Sequence, residues 1–490
     1  MRLKTVTLKN FRCFESLSLD LHPRLTVIVG ANGAGKTAVL DGIASGLTPV
    51  LTHLSSADQR LTGRGIKDAD FRILPLTGVR GKEQWGAADY AQILTTAWDG
   101  LRWDYWRPSG SGKGKEPSEK WGETALKERM NAISTSYKSP APALTPVFAY
   151  YGASRGRIEV PERLRSVKHN YEHPAAALVD CFNPNSDFRE MLAWYDQEES
   201  SELRENKGIV GEEYAPLASL EAVRATVVSL LGDAYRNPHF NIRHKFMLER
   251  TSDGTPLLVN QLSQGYQSML ALAMDFARRL AIANSHLKFG SDHAAEQITR
   301  EADALNDLWG DVEDPFNYAL AMSAPAIMLV DEIDLHLHPS WQQRVLGELM
   351  RTFPLTQFIV TTHSPQVLTS VDASCIRKLV TTTNSETGQS RVEFEHVITQ
   401  TRGVASADVL AEIMGVNPIP DVFEARQLSA YHALIQQNLH DTEEGLELRE
   451  ELQAHFSENH PVMNECERMI RLQAFKQKLP TVKKSAGEGA

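Results

Sequence analysis

A glycine-rich octapeptide near the start of the chain has the composition and spacing of a phosphate-binding loop. Residues 30–37 read GANGAGKT and match the pattern GxxxxGK[ST]. Glycines let backbone N–H groups converge on phosphate oxygens, the lysine reaches the outer phosphates, and the hydroxyl ligates Mg²⁺. The octapeptide therefore predicts a site for ATP and Mg²⁺. The residues that we expect around the phosphates are Asn32, Gly33, Ala34, Gly35, Lys36 and Thr37.

Two adjacent acidic residues, Asp331 and Glu332, follow an apolar run at residues 327–330. Phosphoryl transfer needs a metal-bound carboxylate close to a group that orients the attacking water. We therefore expect Asp331 to bind Mg²⁺ together with Thr37, and Glu332 to be the catalytic carboxylate that polarises the water. His363 ends a third apolar run in QFIVTTH, and its spacing after the acidic pair predicts a catalytic sensor of the γ-phosphate.

Short apolar runs must position these groups. The runs at residues 25–29, 327–330 and 357–361 are typical of buried strands. A helix-compatible segment follows the glycine-rich loop, which completes the strand–loop–helix context that such a loop requires. Asp-Gly pairs at residues 99–100 and 253–254 indicate hairpin turns. The sequence therefore predicts an α/β fold in which a P-loop core sheet is joined by antiparallel β-structure.

The segment LSQGYQ at residues 262–267 lies between a predicted hairpin and an apolar helix. It holds no acid, base or metal ligand, so its chemistry depends on Ser263, Gly265 and the N–H groups that open the helix. Taken alone, Ser263 is a helix N-cap. Beside the other motifs, the segment resembles the ABC-class signature, usually LSGGQ, whose serine serves the nucleotide of the opposite subunit. The resemblance implies a homodimer, or a higher even-numbered homo-oligomer, with ATP between paired heads.

Further segments narrow the resemblance. The amino-terminal LKTVTLKNFRCFESLSLDL resembles the opening hairpin of RecF/SMC/OLD-type ABC ATPases, and DEIDLHLHPSWQQRVLGEL is similar to the segment that carries their D-loop, here with Asp334. PVFAYYGASRGR and TRGVASADVLAEIMGVNPIP resemble the branch that includes the PtuA-like ATPases of Septu and retron-associated Septu systems. The resemblance implies an ABC-type head in which Asp334, like Ser263, acts between paired subunits.

Four residues keep alternative interpretations. Arg12 either contacts nucleotide phosphates or forms a surface ion pair, and the same alternatives apply to Arg155. The Q-loop residue, which contacts the metal, is either Gln59 or Asp70. We prefer Asp70, because Asp-Phe-Arg resembles the pattern of the branch. The bases that follow Arg155 are interleaved with acids, which favours a solvated face over a DNA groove.

The motifs predict four parts in the chain. The third part contains an acidic insertion at residues 285–315, with eight acids against two bases. The predicted parts are an ABC ATPase lobe I with the P-loop at 1–157, a helical insertion at 158–235, the signature, Walker B and His-switch part of the head at 236–400, and a helical C-terminal partner-docking region at 401–490.

Composition excludes several other classes of protein. A hydrophobic content of 42% supports a sizeable core, and a net charge of −11 argues against a wholly basic nucleic-acid coat. Four widely separated cysteines are typical of reduced thiols. No apolar run approaches the roughly 20 residues that span a bilayer. The first residues lack the apolar region of a signal peptide, so we expect a cytoplasmic protein without a membrane contact.

The resemblance implies an ATP-binding and ATP-hydrolysing regulatory subunit of a bacterial anti-phage defence complex. Such a subunit controls a separate HNH-type nuclease and reaches DNA through that partner. The chain itself shows no HNH motif and no TOPRIM-like acidic cluster after residue 400. A RecF-like DNA-repair or DNA-structure-sensing ATPase without a nuclease is the alternative. A transporter ATPase is disfavoured, because the Asn-Phe-Arg hairpin and the long insertions are foreign to that class.

Overall fold

The computed structural model describes residues 1–56, 59–76, 84–110, 115–156, 171, 173–185, 188–209, 211–289, 292–310, 319–383 and 390–478. Contacts divide the chain into two units, Met1–Met414 and Gly415–Ala490. The predicted boundary at residues 157 and 158 lies outside the described residues, as do the bases between 157 and 168 and the end of the acidic insertion. Residues 401–414, assigned above to the C-terminal region, lie in the first unit.

The first unit holds all the strands of the described residues together with most of their helices, and the second unit is helical. The strands of the described residues are β1 (Leu3–Phe11), β2 (Phe14–Asp20), β3 (Leu25–Gly30), β4 (Ile73–Leu76), β5 (Gln84–Ala87), β6 (Tyr90–Ala97), β7 (Arg102–Pro108), β8 (Val147–Tyr151), β9 (Tyr235–Phe240), β10 (Phe246–Arg250), β11 (Pro256–Leu258), β12 (Ala326–Val330), β13 (Thr356–Thr361), β14 (Ile376–Thr383) and β15 (Ser390–His396).

The helices of the described residues pack against these strands or against one another. They are α1 (Lys36–Gly46), α2 (Thr48–Leu54), α3 (Thr124–Ser136), α4 (Phe188–Glu205), α5 (Ala218–Leu231), α6 (Gln264–Ala283), α7 (Asp292–Trp309), α8 (Pro339–Gln342), α9 (Val345–Thr352), α10 (Pro365–Leu368), α11 (Ser406–Glu412), α12 (Phe423–Gln436), α13 (Glu443–Phe456) and α14 (Pro461–Lys478).

A six-stranded sheet forms the centre of the first unit, in the order β15-β14-β3-β13-β12-β8. Its strands are parallel except for β15, which pairs antiparallel with β14. Alternate residues of the inner strands enter two different cores: Ile327 and Leu329 of β12 join one, while Met328 and Val330 join the other. Burial on both faces explains why these strands read as continuous apolar runs. The structure confirms the predicted α/β class.

Antiparallel sheets flank the centre. The order β2-β1-β6-β7 forms one sheet, and β11-β10-β9 forms another just before α6. The two Asp-Gly turns predicted from the sequence are confirmed, because Gly100 joins β6 to β7 and Gly254 joins β10 to β11, both with positive φ. The second unit has a small core of its own, made of Tyr431, Ile435, Leu452, Met463 and Cys466.

Candidate nucleotide site

The glycine-rich loop connects β3 to α1, as predicted. Gly33 and Gly35 have φ values of 78° and 100°, in the left-handed region that favours glycine. A Cβ on Gly35 would lie 2.7 Å from the Phe14 ring and 2.8 Å from the Cys13 sulfur. The loop therefore needs glycine at this position for two independent reasons, and its backbone N–H groups open the helix where a phosphate would bind.

Lys36 is buried at the start of α1, and its ammonium lies over the loop. The ammonium donates to the carbonyls of Gly30 and Ala31 at 2.9 and 3.0 Å. Burial lowers the pKa of Lys36, while the nearby carboxylates of Asp331, Glu332 and Asp334 act in the opposite direction. The lysine is therefore a positive charge held between the loop and the acidic strand end, which is where phosphate charge must be neutralised.

Thr37 and Asp331 meet across the sheet although they are 294 residues apart in sequence. The Thr37 hydroxyl donates to Asp331 Oδ2 at 2.7 Å, and the Thr361 hydroxyl donates to Asp331 Oδ1 at 2.6 Å. A hydroxyl beside a carboxylate is an oxygen donor set that suits Mg²⁺, which is usually bound by one or two protein groups together with substrate phosphates and waters. The described residues thus fit the ion that the sequence predicts.

Glu332 has an unusual backbone conformation, with φ at 49°. Its N–H donates to the Thr361 hydroxyl at 2.7 Å. The guanidinium of Arg155 donates to the Asp331 carbonyl and, at 2.6 Å, to the Glu332 carbonyl. Burial lowers the pKa of Arg155 to about 10, and Asp331 and Glu332 oppose this shift. Arg155 therefore contacts the backbone carbonyls of the acidic pair.

Asp334 and His363 lie together at the same edge of the sheet. Asp334 Oδ1 accepts a hydrogen bond from the Thr362 hydroxyl at 2.6 Å and from the His363 N–H at 3.3 Å. The structure thus brings together Lys36, the acidic pair, Asp334 and His363. The roles proposed for these side chains toward nucleotide stay predictions.

The signature segment opens α6. Ser263 occupies the N-cap position, its side chain is exposed, and it makes no capping bond to the helix. Gly265 is tightly packed, since a Cβ there would lie 2.5 Å from the His336 carbonyl oxygen. Tyr266 packs edge-on against Tyr235 and Trp341, with centroid distances of 4.9 and 5.7 Å. The tyrosine that departs from the usual LSGGQ pattern therefore contributes to local packing.

Arg12 and Asp70 lie in an ion-pair cluster that sequence reasoning did not find. Arg12 contacts Asp41 at 2.6 Å and Asp70 at 2.9 Å, and Arg64 contacts the same two carboxylates at 3.1 and 2.8 Å. Burial acts to raise the pKa of Asp70, but Arg64 and the Lys67 N–H outweigh it and lower that pKa. Both carboxylate oxygens of Asp70 already accept hydrogen bonds.

These contacts do not favour the predicted metal ligation by Asp70. They favour the ion-pair alternative for Arg12. Gln59, the other candidate for the Q-loop, exchanges hydrogen bonds with Ser56. Asp41 lies on α1, and no local sequence pattern pairs it with Arg12 or Arg64, so the sequence gives no signal of the cluster. Arg155 likewise follows β8, the strand beside β12, but the sequence does not specify that neighbour.

Two family descriptions match the chain. One, "AAA domain", matches residues 5–214, and the other, "AAA domain, putative AbiEii toxin, Type IV TA system", matches residues 183–369. Together they span the loop, the signature and the acidic strand end described above.

Relatives of known name match over different lengths. The retron Ec83 probable ATPase of Escherichia coli is 26% identical over 513 residues, covering 93% of this chain and 84% of that protein. The Septu protein PtuA of Bacillus mycoides (strain KBAB4) is 26% identical over 165 residues, covering 31% of this chain and 18% of that protein. The DNA replication and repair protein RecF of Lactococcus lactis subsp. lactis (strain IL1403) is 44% identical over 61 residues, covering 12% of this chain and 17% of that protein.

These comparisons confirm the predicted resemblance to RecF-type ATPases and to the ATPases of retron and Septu systems. They also confirm the prediction of ATPase chemistry, which the geometry of the loop and the acidic pair supports. Among the described helices, none is both long and apolar enough to cross a membrane.

Proposed function

We propose that this chain is the cytoplasmic ATP-hydrolysing switch of a defence complex and that it controls a separate HNH-type nuclease. The observation that carries the proposal is the pairing of Thr37 with Asp331, beside Lys36 and Glu332. This arrangement provides a phosphate-binding loop, a Mg²⁺ donor set and a carboxylate for the attacking water. The long match to a retron ATPase supports the defence setting.

Paired heads form the second element of the proposal. Ser263 is exposed at the helix start, whereas Lys36 and Asp331 are buried in contacts within their own chain. A serine in that position is available to the γ-phosphate held by a second copy. ATP between two copies therefore stabilises a closed dimer, and hydrolysis opens it. A change in nuclease activity then requires that the nuclease bind the open and closed heads with different affinities.

The second unit is the proposed docking region for the nuclease. Eight of the seventeen exposed large hydrophobic side chains found in the described residues belong to this unit, although it is much the smaller one. Four of them fall within residues 416–423, in the segment VNPIPDVF. Such a concentration of exposed apolar surface is typical of a protein-binding site.

The test is co-purification with the product of the neighbouring gene, which this proposal expects to be an HNH-type nuclease. We expect a stable complex whose DNA cleavage changes with ATP, with high ATP restraining cleavage, and no cleavage by this chain alone. A chain ending at residue 414 should keep ATP binding and lose the nuclease. Retention of the nuclease by that shortened chain would move the docking region to the first unit. Metal-dependent cleavage by the isolated chain that survives Lys36→Ala would overturn the division of labour.

A DNA-structure-sensing ATPase without a nuclease is the second candidate. The match of 44% identity to a RecF protein over 61 residues favours it. This candidate predicts that DNA ends or gaps stimulate ATP hydrolysis by the chain alone. It also predicts that no nuclease co-purifies. Measuring hydrolysis with and without gapped duplex, before adding any partner, distinguishes the two candidates.

A further inference from the structure

Arg155 binds the backbone on both sides of the Cα of Glu332, the residue expected to polarise the attacking water. Its guanidinium donates to three carbonyls, those of Gly152, Asp331 and Glu332. We propose that Arg155 is a positioning residue for ATP hydrolysis, which sets the Glu332 carboxylate without touching the nucleotide. This inference rests on the ATPase function proposed above.

Glu332 needs external support because its φ of 49° is unfavourable for a residue with a Cβ. The two peptide groups that flank its Cα are held from both sides. The preceding peptide donates its N–H to the Thr361 hydroxyl and offers its carbonyl to Arg155. The following peptide offers its carbonyl to the same guanidinium at 2.6 Å. The backbone rotation that would swing the side chain away from the phosphate edge breaks at least one of these bonds.

An arginine suits this task better than a lysine. The guanidinium is a planar fork, so its two terminal nitrogens reach successive carbonyls at once. The backbone at Arg155 is held in place, because Arg155 follows β8 closely and β8 pairs in parallel with β12. The Asp331 N–H donates to the Tyr151 carbonyl at 2.8 Å and extends that pairing by one residue. The guanidinium of Arg155 therefore extends the hydrogen bonding between β8 and β12 beyond the last paired residues, Tyr151 and Val330.

The first experiment separates positioning from folding. We expect Arg155→Ala to bind ATP within about threefold of wild type and to lose about 10²-fold in kcat, the size typical of a small misplacement of catalytic groups. Arg155→Lys should recover part of that loss. Arg24 gives a matched control: it is buried, donates to the carbonyls of Phe353 and Thr356, and lies at the other end of the same sheet. Arg24→Ala should lower stability without a selective loss of kcat.

The second experiment is chemical rescue. Arg155 borders a cavity of about 380 Å³, with Asp180, Asn183 and Arg278 also in its wall. The cavity gives a soluble guanidinium ion access to the space that Arg155→Ala vacates. We expect millimolar guanidinium, but not urea, to raise kcat of Arg155→Ala several-fold and to leave Arg24→Ala unchanged. If the alanine variant does not fold, Arg155→Lys must still show a kcat at least tenfold below wild type with unchanged ATP affinity.

The outcomes are distinct. Wild-type kcat in Arg155→Lys, or equal kcat losses in the Arg155 and Arg24 variants without guanidinium rescue, overturns the positioning role alone. Absence of Mg²⁺-dependent hydrolysis by the wild-type protein, alone and with its partner, overturns the proposed function and this inference with it. A selective and rescuable loss of kcat in Arg155→Ala establishes the role.

Discussion

Thr361 is the residue through which the acidic pair can be perturbed with the smallest change in shape. Its hydroxyl donates to Asp331 Oδ1 and accepts from the Glu332 N–H. Valine has nearly the same volume but can do neither. Thr361→Val therefore leaves a buried carboxylate oxygen and a backbone N–H without their partner, while the packing of β13 is preserved.

The size of the effect follows from the two lost bonds. A hydrogen bond to a charged group contributes about 1.5–3 kcal/mol, and an unsatisfied backbone N–H costs about 1–3 kcal/mol. Asp331 is buried, so water replaces the hydroxyl poorly. We expect Thr361→Val to lower the free energy of unfolding by about 3–5 kcal/mol. It should also reduce kcat for ATP, because the Asp331 carboxylate and the Glu332 backbone N–H both lose a fixed partner.

Thr356 provides the matched control at the other end of β13. Both threonines are fully buried, but the Thr356 hydroxyl has no hydrogen-bond partner among the described residues. Thr356→Val therefore removes a hydroxyl that contributes no bond, and it should be neutral or stabilising. Urea denaturation and steady-state ATP hydrolysis of the two variants make the comparison. Equal stability of the two variants would refute the assignment of these bonds to Thr361.

Two further predictions concern the same site, and a third concerns the buried Asp275 of α6. Lys36→Ala should abolish ATP binding by calorimetry, whereas Ser263→Arg should bind ATP yet fail to form the closed dimer or hydrolyse it; parental hydrolysis by Ser263→Arg would exclude a role in trans. Glu332→Gln should bind ATP–Mg²⁺, lose about 10²–10⁴-fold in hydrolysis rate and accumulate as a closed dimer by light scattering; loss of binding would instead indicate a metal-ligating or structural role. Burial acts to raise the pKa of Asp275, but Arg279 and Arg278 hold it at about 2, so Asp275 stabilises the fold above about pH 4, and this contribution is lost as the pH falls toward 2. Asp275→Asn should therefore cost about 3 kcal/mol at pH 7, with the difference from wild type shrinking below pH 4; a constant difference across that range would contradict the ion pairs.

Much of the site was predictable because its chemistry is local in sequence. Three of its parts follow strands that are buried on both faces: the glycine-rich loop, the acidic pair and His363. The apolar runs of these strands therefore mark the positions of the three parts. The P-loop pattern and the acidic pair after an apolar run predict that Thr37 and Asp331 bind one metal, and the structure places the two side chains in contact. The Asp-Gly pairs themselves also predicted both hairpin turns.

The ion-pair cluster around Asp70 was not predictable in the same way. Asp70 and Asp41 each contact both Arg12 and Arg64, and these four residues come from three separate segments. A short sequence motif does not specify which arginine approaches a carboxylate, because that depends on how β1 and the segment before β4 pack against α1. The same limit applies to Arg155, whose contact with Glu332 depends on strand order. The segment at residues 401–420 resembles one family branch throughout, so it gave no sign that the chain divides after Met414.

The segment from Tyr151 to Arg155 contacts both the helix that begins at the signature serine and the backbone of the acidic pair. At one end, the Tyr151 hydroxyl donates to Asp275 on α6 at 2.9 Å, and α6 begins at the signature serine. At the other end, Arg155 holds the carbonyls around Glu332. If contact between Ser263 and a partner's nucleotide displaced α6 along its axis, the displacement would act on β8 or break the Tyr151–Asp275 bond. Because coupling between binding events is reciprocal in free energy, a Glu332 geometry that stabilised the closed dimer would be favoured by the closed dimer to the same extent.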